Sequence, residues 1–325
     1  MKNLKILLIS FALLFAFGVI LAQEGMPAAE EVNLDENIQP EDLEISEPKV
    51  LPDNPFYFLK NWARGIQSFF TFNPVAKAEL RSKFANEKLM EAKKIVQKTE
   101  KPEIINKAVE NYQQEAEKIK NQVEKIKEKV KESPQVESFL DKFIHQQTLH
   151  QKLLQKLETQ VPTETLEKIK EVREVHLENF QGVMLKLEDR EEKITEKLDK
   201  ILEEQKGNQF KEFKNLEILK NLEEKVPEEA KEVIQKAEKN ALKRLRGNLE
   251  KISPEDQEKF EEYVEKISGD KEKHLEILEN LKLEIRTVPE TPKVLELKEK
   301  LEAGKEKIIE RIKKEKAKEI FLEYE

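Results

Sequence analysis

Between Pro102 and Pro134, the apolar residues Ile105, Val109, Tyr112, Ala116, Ile119, Val123, Ile126 and Val130 follow one another at intervals of 4, 3, 4, 3, 4, 3 and 4. That unbroken alternation keeps one narrow stripe on one side of a long helix, and a strand, with its period of two, cannot use it. A helix of this kind hides its stripe against another helix. The preceding helix, or the one from Gln135 to Gln160, is the expected antiparallel partner, because the connections are only a few residues long. The same seam offers the simplest route to self-association. Pro102, Pro134, Pro162, Pro227, Pro254, Pro289 and Pro292 divide the rest of the chain into helical lengths. Composition supports this: 39% of the 325 residues are charged, against about 25% in ordinary domains. Glu and Lys interleave, as at Glu196 and Lys200, in the manner of solvated helix faces.

A longer repeat lies over the helical pattern. Leu153-Leu154, Leu157 and Val161-Pro162 match Ile218-Leu219, Leu222 and Val226-Pro227 position for position, 65 residues on. A third copy, Leu275-Glu276-Ile277-Leu278-Glu279-Asn280-Leu281, nearly repeats Leu216 to Leu222, with three extra residues before Val288-Pro289. Aromatic pairs precede the copies: Phe139 and Phe143, Phe210 and Phe213, Phe260 and Tyr263. The expected fold is therefore all-α. It consists of elongated antiparallel helical hairpins, a coiled-coil-like bundle with about three related helix-turn-helix units.

The N-terminus has a different character. Lys2 and Lys5 precede an apolar run from Ile6 to Ala22, interrupted only by Ser10 and Gly18. This is the pattern of a secretory signal; at 17 residues the run also sits at the lower edge of what spans a bilayer, so an uncleaved anchor is the alternative. Gln23 to Val50 holds nine carboxylates and one lysine without apolar periodicity, and is expected to be a disordered acidic tether. The organisation so read is a signal peptide or anchor over 1–22 and a tether over 23–50. An aromatic-rich helical module over 51–99, a heptad helix over 100–132 and a repeated helical body over 133–325 complete it.

The aromatic module is the densest feature of the chain. Seven of the 21 aromatic residues fall between Phe56 and Phe72. Leu59, Trp62, Ile66, Phe69 and Phe70 share one helical face, with Lys60, Arg64 and Gln67 away from it. The plainer expectation is a short amphipathic helix that docks its aromatic face on the helices that follow. The sharper one places Phe56, Tyr57, Trp62, Phe69 and Phe70 against a protein partner or a membrane interface. Asn73 then serves as an N-cap, with Pro74 in the first helical position.

Pro55-Phe56-Tyr57-Phe58-Leu59-Lys60, then Phe72-Asn73-Pro74-Val75-Ala76-Lys77-Ala78-Glu79-Leu80, then Ala85, Leu89, Glu91 and Ala92, resemble a bacterial family catalogued as domain of unknown function 5667. The resemblance is specific over about Leu51 to Ile95 and looser beyond. Lys88 departs from it, standing where an arginine is expected after the glutamate. The family has no established activity, so the resemblance implies no catalytic residue. It implies an exported, helical protein.

No arrangement of residues points to chemistry. The chain has no cysteine, so disulfides, thiolate metal sites and a cysteine nucleophile are excluded. Its net charge of -8 opposes nucleic-acid binding. His145 and His150, five apart, diverge on one helix; His150 and His274 occupy equivalent repeat positions, with Asn215 in the middle copy. Packing roles are expected for these histidines, and weak ligand or metal binding by them is a minor alternative. No catalytic, cofactor-binding or metal residue is assigned, and no cofactor. The expected function is that of a non-enzymatic, exported protein of the periplasm, cell surface or medium. Its role would be structural or in protein interaction, with a membrane-tethered regulatory sensor as the alternative.

Overall fold

The computed structural model describes residues 37–129, 133–187, 191–286 and 291–323. The expected signal segment 1–22, the first part of the acidic stretch, the last heptad residue Val130 and the third Val-Pro pair, Val288-Pro289, lie outside them. Regular structure among the described residues is helical: α1 (Tyr57–Phe69), α2 (Pro74–Lys98), α3 (Pro102–Lys129), α4 (Pro134–Glu158), α5 (Thr163–Leu187), α6 (Glu191–Glu204), α7 (Lys211–Lys225), α8 (Glu228–Lys251), α9 (Pro254–Lys266), α10 (Lys271–Ile285) and α11 (Pro292–Glu323).

Local chemistry sets the helix starts. Asn73 accepts the N–H groups of Val75 and Ala76, with Pro74 in the first turn. Ser133 and Ser253 cap α4 and α9 in the same way, again followed by proline, and Asp270 caps α10. Each cap satisfies backbone donors that the first turn of a helix leaves unpaired.

Four hairpins, α2–α3, α4–α5, α7–α8 and α10–α11, pack each on the next. The last three are the repeat units, and the first two Val-Pro pairs stand at the turns inside α4–α5 and α7–α8. In the first step α2 meets α4 and α3 meets α5; then α4 and α5 meet α7; then α7 and α8 meet α10. Helix α6 fills the space beside α4 and α8, and α9 lies on α11. The aromatic pairs sit inside this stack. Phe143 stands between Phe139 and Phe180 of α5, while Phe210 and Phe213 gather Phe260 and Tyr263.

The heptad helix does pack on the one preceding it. Gln122 donates to the Pro74 carbonyl and Arg81 pairs with Glu115, so α3 runs antiparallel to α2. Its second neighbour is α5, not the helix beginning near Gln135. Two neighbours require a wider stripe than a two-stranded seam: Ala108, Glu115 and Gln122 are buried beside the heptad positions from Ile105 to Ile126. Because that seam is covered by the chain's own helices, it is closed to self-association.

The acidic stretch needs a larger correction. Over residues 37–50 it is a strap, not a tether. Ile38, Leu43 and Ile45 are buried, and a 3₁₀ turn at Pro40–Leu43 reverses the chain through Glu44 in the left-handed region (φ 55°). Helix α2 holds both arms. Lys93 donates to the Ile38 carbonyl, Asn86 to the Leu43 carbonyl and Lys94 to the Pro48 carbonyl. An irregular strap has no helical or strand period, so its few apolar residues are invisible to a periodicity test. Its carboxylates lie outside and pair with lysines such as Lys94 and Lys142.

Candidate functional site

Helix α1 begins where Asn54 accepts the Phe56 N–H, and it runs back along α2, which is its principal neighbour. The face turned to α2 is the polar one. Tyr57, Arg64 and Ser68 are its buried residues. Glu91, nearly sealed from solvent on α2, accepts Lys60 Nζ at 2.6 Å, Arg64 Nη2 at 2.8 Å and the Tyr57 hydroxyl. Glu87, one turn away, takes Arg64 Nη2 at 2.5 Å. Ser68 accepts from Arg81, and the Arg64 guanidinium lies over the Phe84 ring. Burial opposes the charge on Arg64, but Glu91 and Glu87 outweigh it and hold the guanidinium firmly protonated. Burial and Glu91 push the Tyr57 hydroxyl well above its ordinary value. Lys88 donates to Tyr57 and Asn61, and burial, aided by Arg64, pulls its ammonium down to about 8.

The aromatic face therefore points the other way. Phe56, Phe58, Trp62, Phe69, Phe70 and Phe72 are exposed, from 62% at Phe58 to 81% at Phe72, and Leu59 and Ile66 join them. This overturns the plainer expectation of a helix docked by its aromatic side. Of the five residues assigned to contact, Phe56, Trp62, Phe69 and Phe70 share the open surface, with Phe69 and Phe70 edge to face at 5.3 Å. Tyr57 does not; it is buried and belongs to the cluster around Glu91 and Glu87 that latches α1 to α2. The latch had a sequence signal that apolar patterning ignores: Lys60 and Arg64 stand four apart on α1, and Glu87 and Glu91 four apart on α2. Six exposed aromatic rings side by side are uncommon in proteins that otherwise bury such side chains.

His150, His176 and His274 lie in the core, and His145 is half-buried. His150, Asn215 and His274, the equivalent repeat positions, are all sealed from solvent, each with its own partners. His150 stands between Tyr112 (3.0 Å) and Asn86 (2.8 Å), with the His176 ring 5.5 Å away; His176 in turn meets Gln151. Burial lowers both, His176 to about 3. Asn215 donates to the Leu202 carbonyl, and His274 meets Glu217 at 2.9 Å. Among the described residues no three His, Asp or Glu side chains form a metal-binding group.

Glu217 is a second buried polar centre. It faces Gln155 of α4, Lys214 of its own helix α7, and His274 with the Asp270 N–H from the third repeat unit. Burial would raise its carboxyl, but Lys214 and His274 dominate and hold it far below the usual carboxylate range. Gly269 adopts φ +125° beside it, and an added Cβ would fall 2.2 Å from a Glu217 oxygen, so only glycine fits.

Known proteins add a family and little else. A solved structure described as "Computational Design of Self-Assembling Cyclic Protein Homooligomers" aligns over 85% of this chain and 92% of that one, at 13% identity and a TM-score of 0.36. No curated protein matches the chain. The family described as "Domain of unknown function (DUF5667)" matches residues 49–229, a span that runs from α1 to the first turn of α8 and thus includes the latch, the aromatic face and the first hairpins. With more than half its length in that match, the chain belongs to the DUF5667 family.

Proposed function

We propose that the protein is a non-enzymatic, exported helical scaffold that works by docking. Its stack of hairpins holds one aromatic surface in a fixed place outside the cell membrane. One observation carries this reading: α1 turns its charged side chains inward onto Glu87 and Glu91 and leaves six aromatic rings in solvent. Folding an isolated helix with that orientation costs stability unless the open face is covered in use, because exposed aromatic area gains nothing from water. Export is supported by the lysine-led apolar run at the N-terminus and by the absence of cysteine. The buried polar centres at His150, His176 and Glu217 lie inside the stack, where they specify packing and meet no substrate.

The test is a cell-level comparison of the wild type with Trp62→Ser/Phe69→Ser. Wild type and variant should fold alike by circular dichroism, since both positions are exposed. In chains cleaved after Ala22, by the cell or at a protease site placed there, wild type should be retained in an envelope or high-mass fraction and the variant released as a soluble monomer. Identical fractionation of the two would remove the docking reading. Mass spectrometry of the native N-terminus, reading Gln23 or Met1, tells the processed form from the anchored one.

A further inference from the structure

We infer that the occupant of the aromatic face is the interfacial zone of a lipid bilayer, an inference that rests on the docking reading above. The side chains on offer are of one kind. Phe56, Phe58, Trp62, Phe69, Phe70 and Phe72 supply broad, non-directional apolar area, and aromatic rings of this sort settle at the boundary of headgroups and acyl chains. A protein partner needs directional polar groups around an apolar centre. Here Lys60, Asn61, Arg64 and Ser68 all make their hydrogen bonds on the α2 side. With Lys60 and Arg64 neutralised by Glu91 and Glu87, the contact also makes no demand for anionic headgroups, and zwitterionic lipid suffices.

The sequence ahead of the strap supports the same occupant. Before the strap the sequence still has 36 residues, including the apolar run from Ile6 to Ala22. The strap enters where Lys93 binds the Ile38 carbonyl, on another face of α2 from Glu91, which holds the first turn of α1. The 15 residues from 23 to 37 reach at most about 50 Å when extended. A bilayer that holds the apolar run is therefore never more than about 50 Å from the start of the strap. Two weak membrane contacts on one short chain reinforce each other, because the first raises the local concentration of the second.

The chain carries a built-in reporter. Trp62 is its single tryptophan and stands in the middle of the exposed face. Full-length protein is mixed with phosphatidylcholine vesicles whose acyl chains carry bromine, and Trp62 emission is recorded. The expected result is a shift to shorter wavelength with loss of intensity, because bromine quenches only a ring that reaches it. Phe58→Ser/Phe69→Ser/Phe70→Ser keeps Trp62 and should lose both effects, even though residues 6–22 still bring the protein to the vesicle. Emission that stays at the water-exposed wavelength with vesicles overturns the inference. A short-wavelength emission without lipid that grows with protein concentration also overturns it, in favour of a second copy, and leaves the docking reading standing. The same emission at all concentrations assigns the cover to the chain's own residues and removes both.

Discussion

His176 shows how much of this molecule's behaviour is set by single buried groups. Its ring lies in the core between Gln151, His150, Tyr112 and Phe180, and burial lowers its proton affinity from an ordinary value near 6.5 to about 3. The unfolded chain therefore takes up a proton first as pH falls, and stability declines from about pH 6.5 down toward pH 3. At pH 5 this one group removes about 2 kcal/mol relative to neutrality, and His150 acts in the same direction. Urea unfolding of wild type should show a marked loss of stability between pH 7 and pH 5. His176→Leu should flatten that slope by about 2 kcal/mol, whatever it does to stability at pH 7. An unchanged slope in the variant would mean that the imidazole is not held neutral. The four histidines were visible in the sequence as unlikely metal ligands, but the meeting of His150 with His176 was not, because it is made between α4 and α5 by the turn at Val161-Pro162.

At the scale of the element, α1 is a helix mounted inside out. Its principal packing is on α2, so its docking depends on the ion cluster around Glu91 and not on core burial. Glu91→Gln keeps the shape but leaves Arg64 and Lys60 with weakened partners, a loss of about 2–3 kcal/mol. Because few other contacts tie α1 down, the loss should appear locally: amide exchange over 57–69 should accelerate by roughly one to two powers of ten while the global unfolding midpoint moves little. Unaltered protection in α1 would show that something other than the latch holds it. This element also marks what sequence patterning can and cannot tell. The apolar face of α1 and the heptad of α3 were both legible. Their orientation was not, since a helical pattern states which residues share a side and not what that side meets. For α3, the third buried row contains Glu115 and Gln122, which patterning assigns to solvent and which Arg81 and the Pro74 carbonyl bring inside. The strap failed for the opposite reason: Ile38, Leu43 and Ile45 form no period at all.

For the whole molecule, the question is what makes a row of hairpins unfold as one body. Each hairpin packs mainly on its neighbours, so stability in such an array is a sum of unit terms and interface terms, and cooperativity resides in the interfaces. Glu217 sits where three successive units meet: Gln155 reaches it from the first repeat, Lys214 stands beside it in the second, and His274 and the Asp270 N–H come from the third. Its folded-state affinity for protons is far below the ordinary carboxylate value, so this tie is complete above about pH 4.5 and weakens only as the solution turns more acidic than that. Glu217→Gln keeps the volume but strips Lys214 of its buried counter-charge, a change of about 3–5 kcal/mol for a broken buried pair. The cost falls on the junctions and not on the units. At pH 7 the wild type should unfold in urea through one transition seen alike by circular dichroism and by amide exchange. In Glu217→Gln the exchange of α9, α10 and α11 should separate to lower urea, while α2 to α5 keep their midpoint, since their contacts with one another do not pass through this carboxylate. A uniform shift of every helix to lower urea would place the coupling elsewhere, in the apolar contacts of α7 with α5 and α10.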